Sequence, residues 1–197
     1  MSPEYVSSGR PPATSHAAIE EAAFGLFHVH GFDSTTTDEI AAAVGISRRT
    51  LFRYFSSKND IPWGQFDDNL DYLRETLEHM PPGLPLWKAI QEAVVAFNSL
   101  DPFAIDQHVL RMRLILQTPS LQAHSALMYG RWRRVIAEYA AQRTDRRPDD
   151  HFPLLVGHTS LALAVSAYEV WLSDPSTSID KLIGASMQNL RQFVNDD

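Results

Sequence analysis

Apolar side chains recur at three- and four-residue spacing along most of the chain, and no stretch shows the two-residue alternation of a strand, so the pattern predicts an all-α protein. Ile19, Ala22, Ala23, Leu26, Phe27 and His30 predict a first helix over 14–30, closed by Gly31, with Phe24 and Phe32 completing a small core. Thr36 followed by Glu39 is a reciprocal N-cap pair, and it opens a second helix whose inner face is Ile40, Ala41 and Val44 and which Gly45 stops. Ser47 caps a third helix at once. Leu51 and Phe55 turn inward there, while Arg48, Arg49, Thr50, Arg53 and Tyr54 turn outward. Two short helices joined by a Gly-containing turn, the second of them basic, make a helix-turn-helix.

Ser57 and Asp60 predict the start of a fourth helix that runs through Phe66, Leu70, Leu73 and Leu77 to the break at Pro81, Pro82 and Gly83. Pro62 is expected to distort or kink its first turn. Longer helices follow over 86–100, 102–117, 119–143, 151–172 and 178–194, each bounded by Pro, Gly, Asp or Ser. The charged segment RTDRRPDD at 143–150 is expected to be a solvated loop. Residues 1–12, with three prolines and no apolar period, are expected to form a flexible arm. Its Arg10 either reaches a minor groove or is a solvated tail charge, and the sequence leaves both open. The domain expectation is an arm over 1–12, a helix-turn-helix domain over 13–60, and a helical bundle over 61–197.

The run FDSTTTDEIAAAVGISRRTLFRYFSSKND resembles the DNA-binding signature of the TetR family of transcriptional regulators, over about the first third of the chain. Its continuation, SKNDIPWGQFDDNL, is similar to the regulators encoded with the mycofactocin peptide-cofactor system. The resemblance implies an all-helical dimer whose C-terminal domain binds a small effector that releases DNA. It also implies that the fourth helix links the two domains mechanically. Relatives often carry tyrosine where Phe52 stands, so a hydroxyl contact made by them is missing here.

Composition narrows the picture in three places. The chain has 197 residues, enough for a small domain beside a larger one, and a formal charge of −7, so any DNA contact must be local rather than spread over the surface. The cluster Arg48, Arg49, Arg53 and Lys58 supplies that locality. With no cysteine, a disulfide scaffold, thiol catalysis and a cysteine redox sensor are excluded. No uninterrupted apolar run approaches the ~18 residues of a membrane span, so a soluble cytoplasmic protein with no membrane partner is expected.

Each candidate residue has a chemical reason. Thr36 and Ser47 sit where helix N-termini favour phosphate. Arg48, Arg49 and Arg53 can donate in pairs to guanine, Thr50 can touch a thymine methyl, and Tyr54 and Lys58 are expected to meet phosphates of a double-stranded operator. In the second domain the helix over 151–172 is apolar nearly all round and that over 178–194 carries Leu182, Ile183, Met187, Leu190 and Val194 on one stripe. These helices are expected to pair with their symmetry mates in a homodimer, with packing inside one monomer as the competing explanation. Trp63, Phe66, Trp87, Phe97, Met112, Met128, Trp132 and Tyr168 are the candidate effector-binding side chains among a larger set, including Phe103, that is mostly core. Arg111, Arg113, Arg131, Arg133 and Arg134 would suit an anionic head group, which together points to a hydrophobic or amphipathic effector such as a long-chain acyl-CoA, sensed by some TetR-type regulators.

Two other classes compete. A di-metal bundle enzyme needs Glu-x-x-His pairs, and no Glu here has His three residues later; P-loop, nucleophile-elbow and HExxH patterns are absent too. His28, His30, His151 and His158 read as structural or surface histidines, and no metal or other cofactor is expected. A protein-binding helical module that no longer binds DNA is the remaining alternative.

Overall fold

A computed structural model describes residues 14–99 and 104–195, helices and loops with no strand among them. The predicted arm with Arg10, and Phe103, lie outside the described residues. The chain divides into two compact units, Met1–Gly64 and Gln65–Asp197.

In the first unit, α1 (His16–His30) is capped by Ser15, whose hydroxyl accepts from Ala18 N at 3.1 Å, and ends at Gly31 with φ 80°. α2 (Thr37–Ala43) carries the complete capping box: Thr36 N donates to Glu39 Oε2 at 2.7 Å and Glu39 N to Thr36 Oγ1 at 3.2 Å. Gly45 turns the chain with φ 68°, and Ser47 caps α3 (Arg48–Tyr54). Ile19, Ala23, Phe24, Phe27, Phe32, Ile40, Leu51, Phe55 and Ile61 are all buried between these helices. Burying a large apolar side chain contributes about 1.5–3 kcal/mol, so this core fixes the angle of α3 even though α3 is too short to be stable alone.

The expected continuous fourth helix is not formed. Lys58–Trp63 is a 3-10 turn under a Ser57–Asp60 capping box, and α4 (Phe66–Glu78) starts afresh beyond it. Pro62 has no backbone N–H to extend an α-helical ladder, and Gly64 takes φ 58°, a left-handed value that glycine alone adopts without cost.

In the second unit, α4 buries Leu70, Leu73 and Leu77 on one stripe. α5 (Leu86–Asn98) buries Ala89, Ile90, Ala93 and Val94, and Gln91 Nε2 donates to Gly184 O at 3.0 Å. α6 (Ile105–Gln117) buries only Val109 and Ile115. A 3-10 turn at Pro119–Leu121 then leads into α7 (Gln122–Thr144). α8 (His151–Ser173) returns along α7, and Gly157 lets it come so close that an added Cβ would lie 2.7 Å from Arg133 O. α9 (Ile179–Val194) closes the unit with Ile179 and Ile183.

The 143–150 segment is largely the solvated loop expected, with Asp145, Arg146, Arg147, Asp149 and Asp150 exposed, but it is anchored at its start, where Arg143 donates to Leu84 O at 2.6 Å and Pro82 O at 3.0 Å, and Arg147 N donates to Asp150 Oδ2 at 2.9 Å. Arg143 closes the end of α7 onto the α4–α5 loop, a long-range role that local charge density conceals. α8 holds no uninterrupted apolar run of span length, yet its 23 residues reach a mean hydropathy of 1.2 over an 18-residue window, of which 33% is buried. Small and hydroxyl residues interleaved with Leu and Val hide that hydropathy from a search for uninterrupted apolar runs.

Candidate nucleic-acid interface

α3 presents its arginines unequally. Ser47 Oγ accepts from Thr50 N at 3.1 Å and pairs with Thr50 Oγ1 at 2.9 Å, which locks the start of the helix. Arg49 and Arg53 are four residues apart on one exposed face, and neither makes a hydrogen bond or ion pair among the described residues. Arg48 differs. Its guanidinium is 3.5 Å from Asp38 and 5.5 Å over the ring of the exposed Phe52, an open pair that is weak in water and readily exchanged.

Tyr54 and Lys58 are not placed as predicted. The Tyr54 hydroxyl donates to Thr14 O at 2.8 Å, and its ring meets His16 edge-on at 5.0 Å. Lys58 Nζ donates to Phe32 O at 2.7 Å, Thr35 O at 2.8 Å and Asp33 O at 3.3 Å, and lies 4.4 Å over the Phe32 ring. Tyr54 thus ties α3 to the residues that lead into α1, and Lys58 ties the 3-10 turn to the turn that follows α1. Helical spacing put Tyr54 on an outward face, and the basic cluster suggested a phosphate for Lys58, because neither signal reports a neighbour more than twenty residues away. Thr36 stays exposed, and the hydrogen bonds from its backbone N–H and its hydroxyl hold the Glu39 carboxyl below its ordinary range.

The candidate effector side chains are scattered. Trp63 belongs to the first unit and is half-buried. Phe66 is buried at the start of α4, under the guanidinium of Arg131, which is ion-paired with Asp67. Trp87 is a surface side chain, 37% exposed and covered by Arg191 at 4.4 Å, so it does not face the interior. Its helical phase could not reveal this, because α5 turns its other side to the core. Phe97 packs edge-on against buried Trp132 at 6.3 Å; Met112 and Met128 are half-buried. Buried Tyr168 bonds to Asn98 and His108, two polar residues that helical periodicity does not single out.

Of the five candidate arginines, Arg134 is held by Glu138 at 2.8 Å and Asp149 at 2.7 Å, Arg131 by Asp67, and Arg133 lies 3.2 Å from His158 Nδ1. Arg111 and Arg113 lie on α6, the second of them exposed. No group of three or more His, Cys, Asp or Glu able to hold a metal occurs among the described residues.

A capped helix-turn-helix with an exposed basic face, followed by a separate helical unit, defines a helix-turn-helix transcriptional regulator. Residues 19–61 match the family of bacterial regulatory proteins called tetR, and residues 84–195 match the MftR C-terminal domain. The chain belongs to the TetR family, in the branch that carries the MftR C-terminal domain, and is a transcriptional regulator and not an enzyme.

Over 178 residues it is 45% identical to the Mycobacterium tuberculosis protein that carries the name mycofactocin biosynthesis transcriptional regulator MftR, covering 90% of each chain. It is 28% identical over 170 residues to the HTH-type transcriptional regulator TcmR of Streptomyces glaucescens, covering 81% of this chain and 74% of that one. Among solved structures the fold resembles Thermus thermophilus FadR in complex with lauroyl-CoA, with a TM-score of 0.57, 20% identity and 91% and 93% of the two chains covered. It also resembles the fatty acid degradation regulator FadR of Bacillus halodurans, with a TM-score of 0.63, 14% identity and 88% and 96% covered.

Proposed function

We propose that this regulator is a homodimeric repressor that binds a palindromic operator and is released by an amphipathic effector of the acyl-CoA class. The observation that carries the DNA half is the exposed Arg49–Arg53 face on a helix fixed by Ser47, Leu51 and Phe55. Guanidinium groups held there can donate in pairs to guanine edges, with Arg48, Thr50, Ser47 and Thr36 beside them along the backbone. Their local positive charge operates although the whole chain carries −7.

For the dimer, the support is the apolar surface that one copy leaves open: Phe152, Leu154, Leu155 and Val170 on α8, and Phe193 and Val194 on α9. A second copy can cover these residues by two-fold symmetry. His151, His158 and Glu169 lie exposed on α8, which suits a protein interface with a polar rim better than a bilayer, and so a cytoplasmic regulator.

For the effector, the support is the half-buried Phe97, Met112 and Met128 in the second unit, together with the lauroyl-CoA bound by Thermus thermophilus FadR. An effector that prefers a dimer with displaced α3 helices lowers DNA affinity by no more than its own preference for that state. Footprinting on DNA flanking the gene, repeated with lauroyl-CoA, tests both halves. The expected result is a palindromic protected region with half-sites one helical turn or a multiple apart, lost as lauroyl-CoA is added. Protection without dyad symmetry removes the operator proposal, and protection indifferent to lauroyl-CoA removes the effector class.

A further inference from the structure

Side chains from α5, α6 and α8 form a hydrogen-bonded line inside the second unit, and chemistry fixes the direction of each bond. Asn98 is buried, and its Nδ2 donates at 2.7 Å to Val94 O, which can only accept. Oδ1 is therefore the atom that faces Tyr168. It too can only accept, so the Tyr168 hydroxyl donates to it at 2.8 Å. With that proton committed, His108 Nε2 at 2.9 Å must be the ring nitrogen that bears hydrogen. A neutral imidazole carries one N–H, so Nδ1 is left as a bare acceptor, and it makes no hydrogen bond among the described residues.

The ring stays neutral at physiological pH, since burial and then the charge of Arg111 bring its protonation down to about 4. Tyr168 and Trp171 hold its plane, with ring centroids 5.6 and 5.8 Å away. On the same face of α6, one turn on from His108, Met112 is half-exposed. A finished core would close over such a side chain.

We propose that His108 Nδ1 is the polar reading point of the effector site, accepting a hydrogen bond from a hydroxyl or amide N–H on an amphipathic effector, an assignment that rests on Gln65–Asp197 being the effector unit. Tyr168 and Asn98 are positioning residues that hold the ring in its Nε2–H form. A carboxylate or phosphate oxygen has no proton to offer, and its lone pairs would face that of Nδ1. The apolar surface beside the ring suits a chain, and the nitrogen selects a chain that bears a donor.

Calorimetric titration of the full-length protein with 1-decanol and decyl methyl ether reads the donor, because the ether has a methyl group where the alcohol has its proton. Lauroyl-CoA titrated in parallel reads the effector class separately. The alcohol is expected to bind about tenfold tighter than the ether, the worth of one neutral hydrogen bond. His108→Phe erases that preference. His108→Gln, whose amide donates to Tyr168 while Oε1 accepts, restores it to within about threefold. Equal binding of alcohol and ether, or binding of neither, overturns the assignment. Should lauroyl-CoA fail to bind while the alcohol preference is present, the acyl-CoA class falls and His108 stands. Long-range 1H–15N spectra of the free wild-type protein need no variant to fold: the Nε2–H form is expected at pH 7, and an Nδ1–H or doubly protonated ring overturns the assignment.

Discussion

The ammonium of Lys58 lies 4.4 Å over the ring of Phe32, and on its other side it donates to the backbone carbonyls of Phe32, Asp33 and Thr35. A cation at the edge of a DNA-binding motif is thereby converted into a clamp on the turn between α1 and α2. The same turn carries Thr36, so the clamp and the capping box together set where α2 begins and how α3 is presented.

Lys58→Met is accordingly expected to act through folding rather than charge. Hydrogen bonds to a charged group contribute about 1.5–3 kcal/mol when well shielded, and Lys58 is half-buried, so a loss of about 1–2 kcal/mol in unfolding free energy is expected. The dependence of DNA affinity on salt should keep its slope. A slope shallower by about one, the mark of a lost phosphate contact, contradicts the placement.

Arg49→Ala is expected to behave in the opposite way. Its side chain is exposed and makes no bond within the described residues, so thermal stability should not change beyond about 0.5 kcal/mol. Operator affinity should fall by about 1–3 kcal/mol while affinity for unrelated duplex falls much less. Equal losses on both duplexes at matched salt reduce Arg49 to a phosphate contact.

What could be read from the chain follows the range of each interaction. The Thr36–Glu39 box, the Ser47 cap, the stop at Gly45 and the shared i, i+4 face of Leu51 and Phe55 are set within four residues, and the structure has them all. Tyr54 and Lys58 depend on Thr14 and on the Phe32–Thr35 turn, 40 and 23–26 residues away, and no local pattern in the sequence shows those partners. Pro62 was legible as a disturbance, but its outcome also needed the left-handed Gly64. His108 and Asn98 gave no signal, because a lone polar residue in an apolar helix shows its partner only after folding brings Tyr168 across 60 and 70 residues.

Gly157→Ala tests how closely α7 and α8 approach. A methyl carbon there would sit 2.7 Å from the Arg133 carbonyl oxygen, a backbone atom that moves only if the helix moves. Overpacking of this kind costs about 1–3 kcal/mol, so the denaturant midpoint should fall by a corresponding amount with little change in slope. A midpoint unchanged from wild type means the helices lie further apart than described.

His108 makes the stability of the second unit depend on pH, with a definite sign. Burial first, and then the positive charge of Arg111, lower its pKa from 6.5 to about 4, while Tyr168 faces it from α8 as a neutral acceptor. Between those values the unfolded chain binds more protons than the folded one, so folding weakens as pH falls through that window. Well above pH 6.5 the ring is neutral in both states and no loss occurs. The full shift corresponds to roughly 3 kcal/mol, about half of it reached by pH 5.3. Replacing the imidazole by the amide in His108→Gln removes this contribution but keeps the bond to Tyr168. Unfolding free energies measured from pH 7 to pH 5 should then decline more steeply for wild type than for the variant. Parallel curves for the two proteins show that the ring is solvated and free to take its proton.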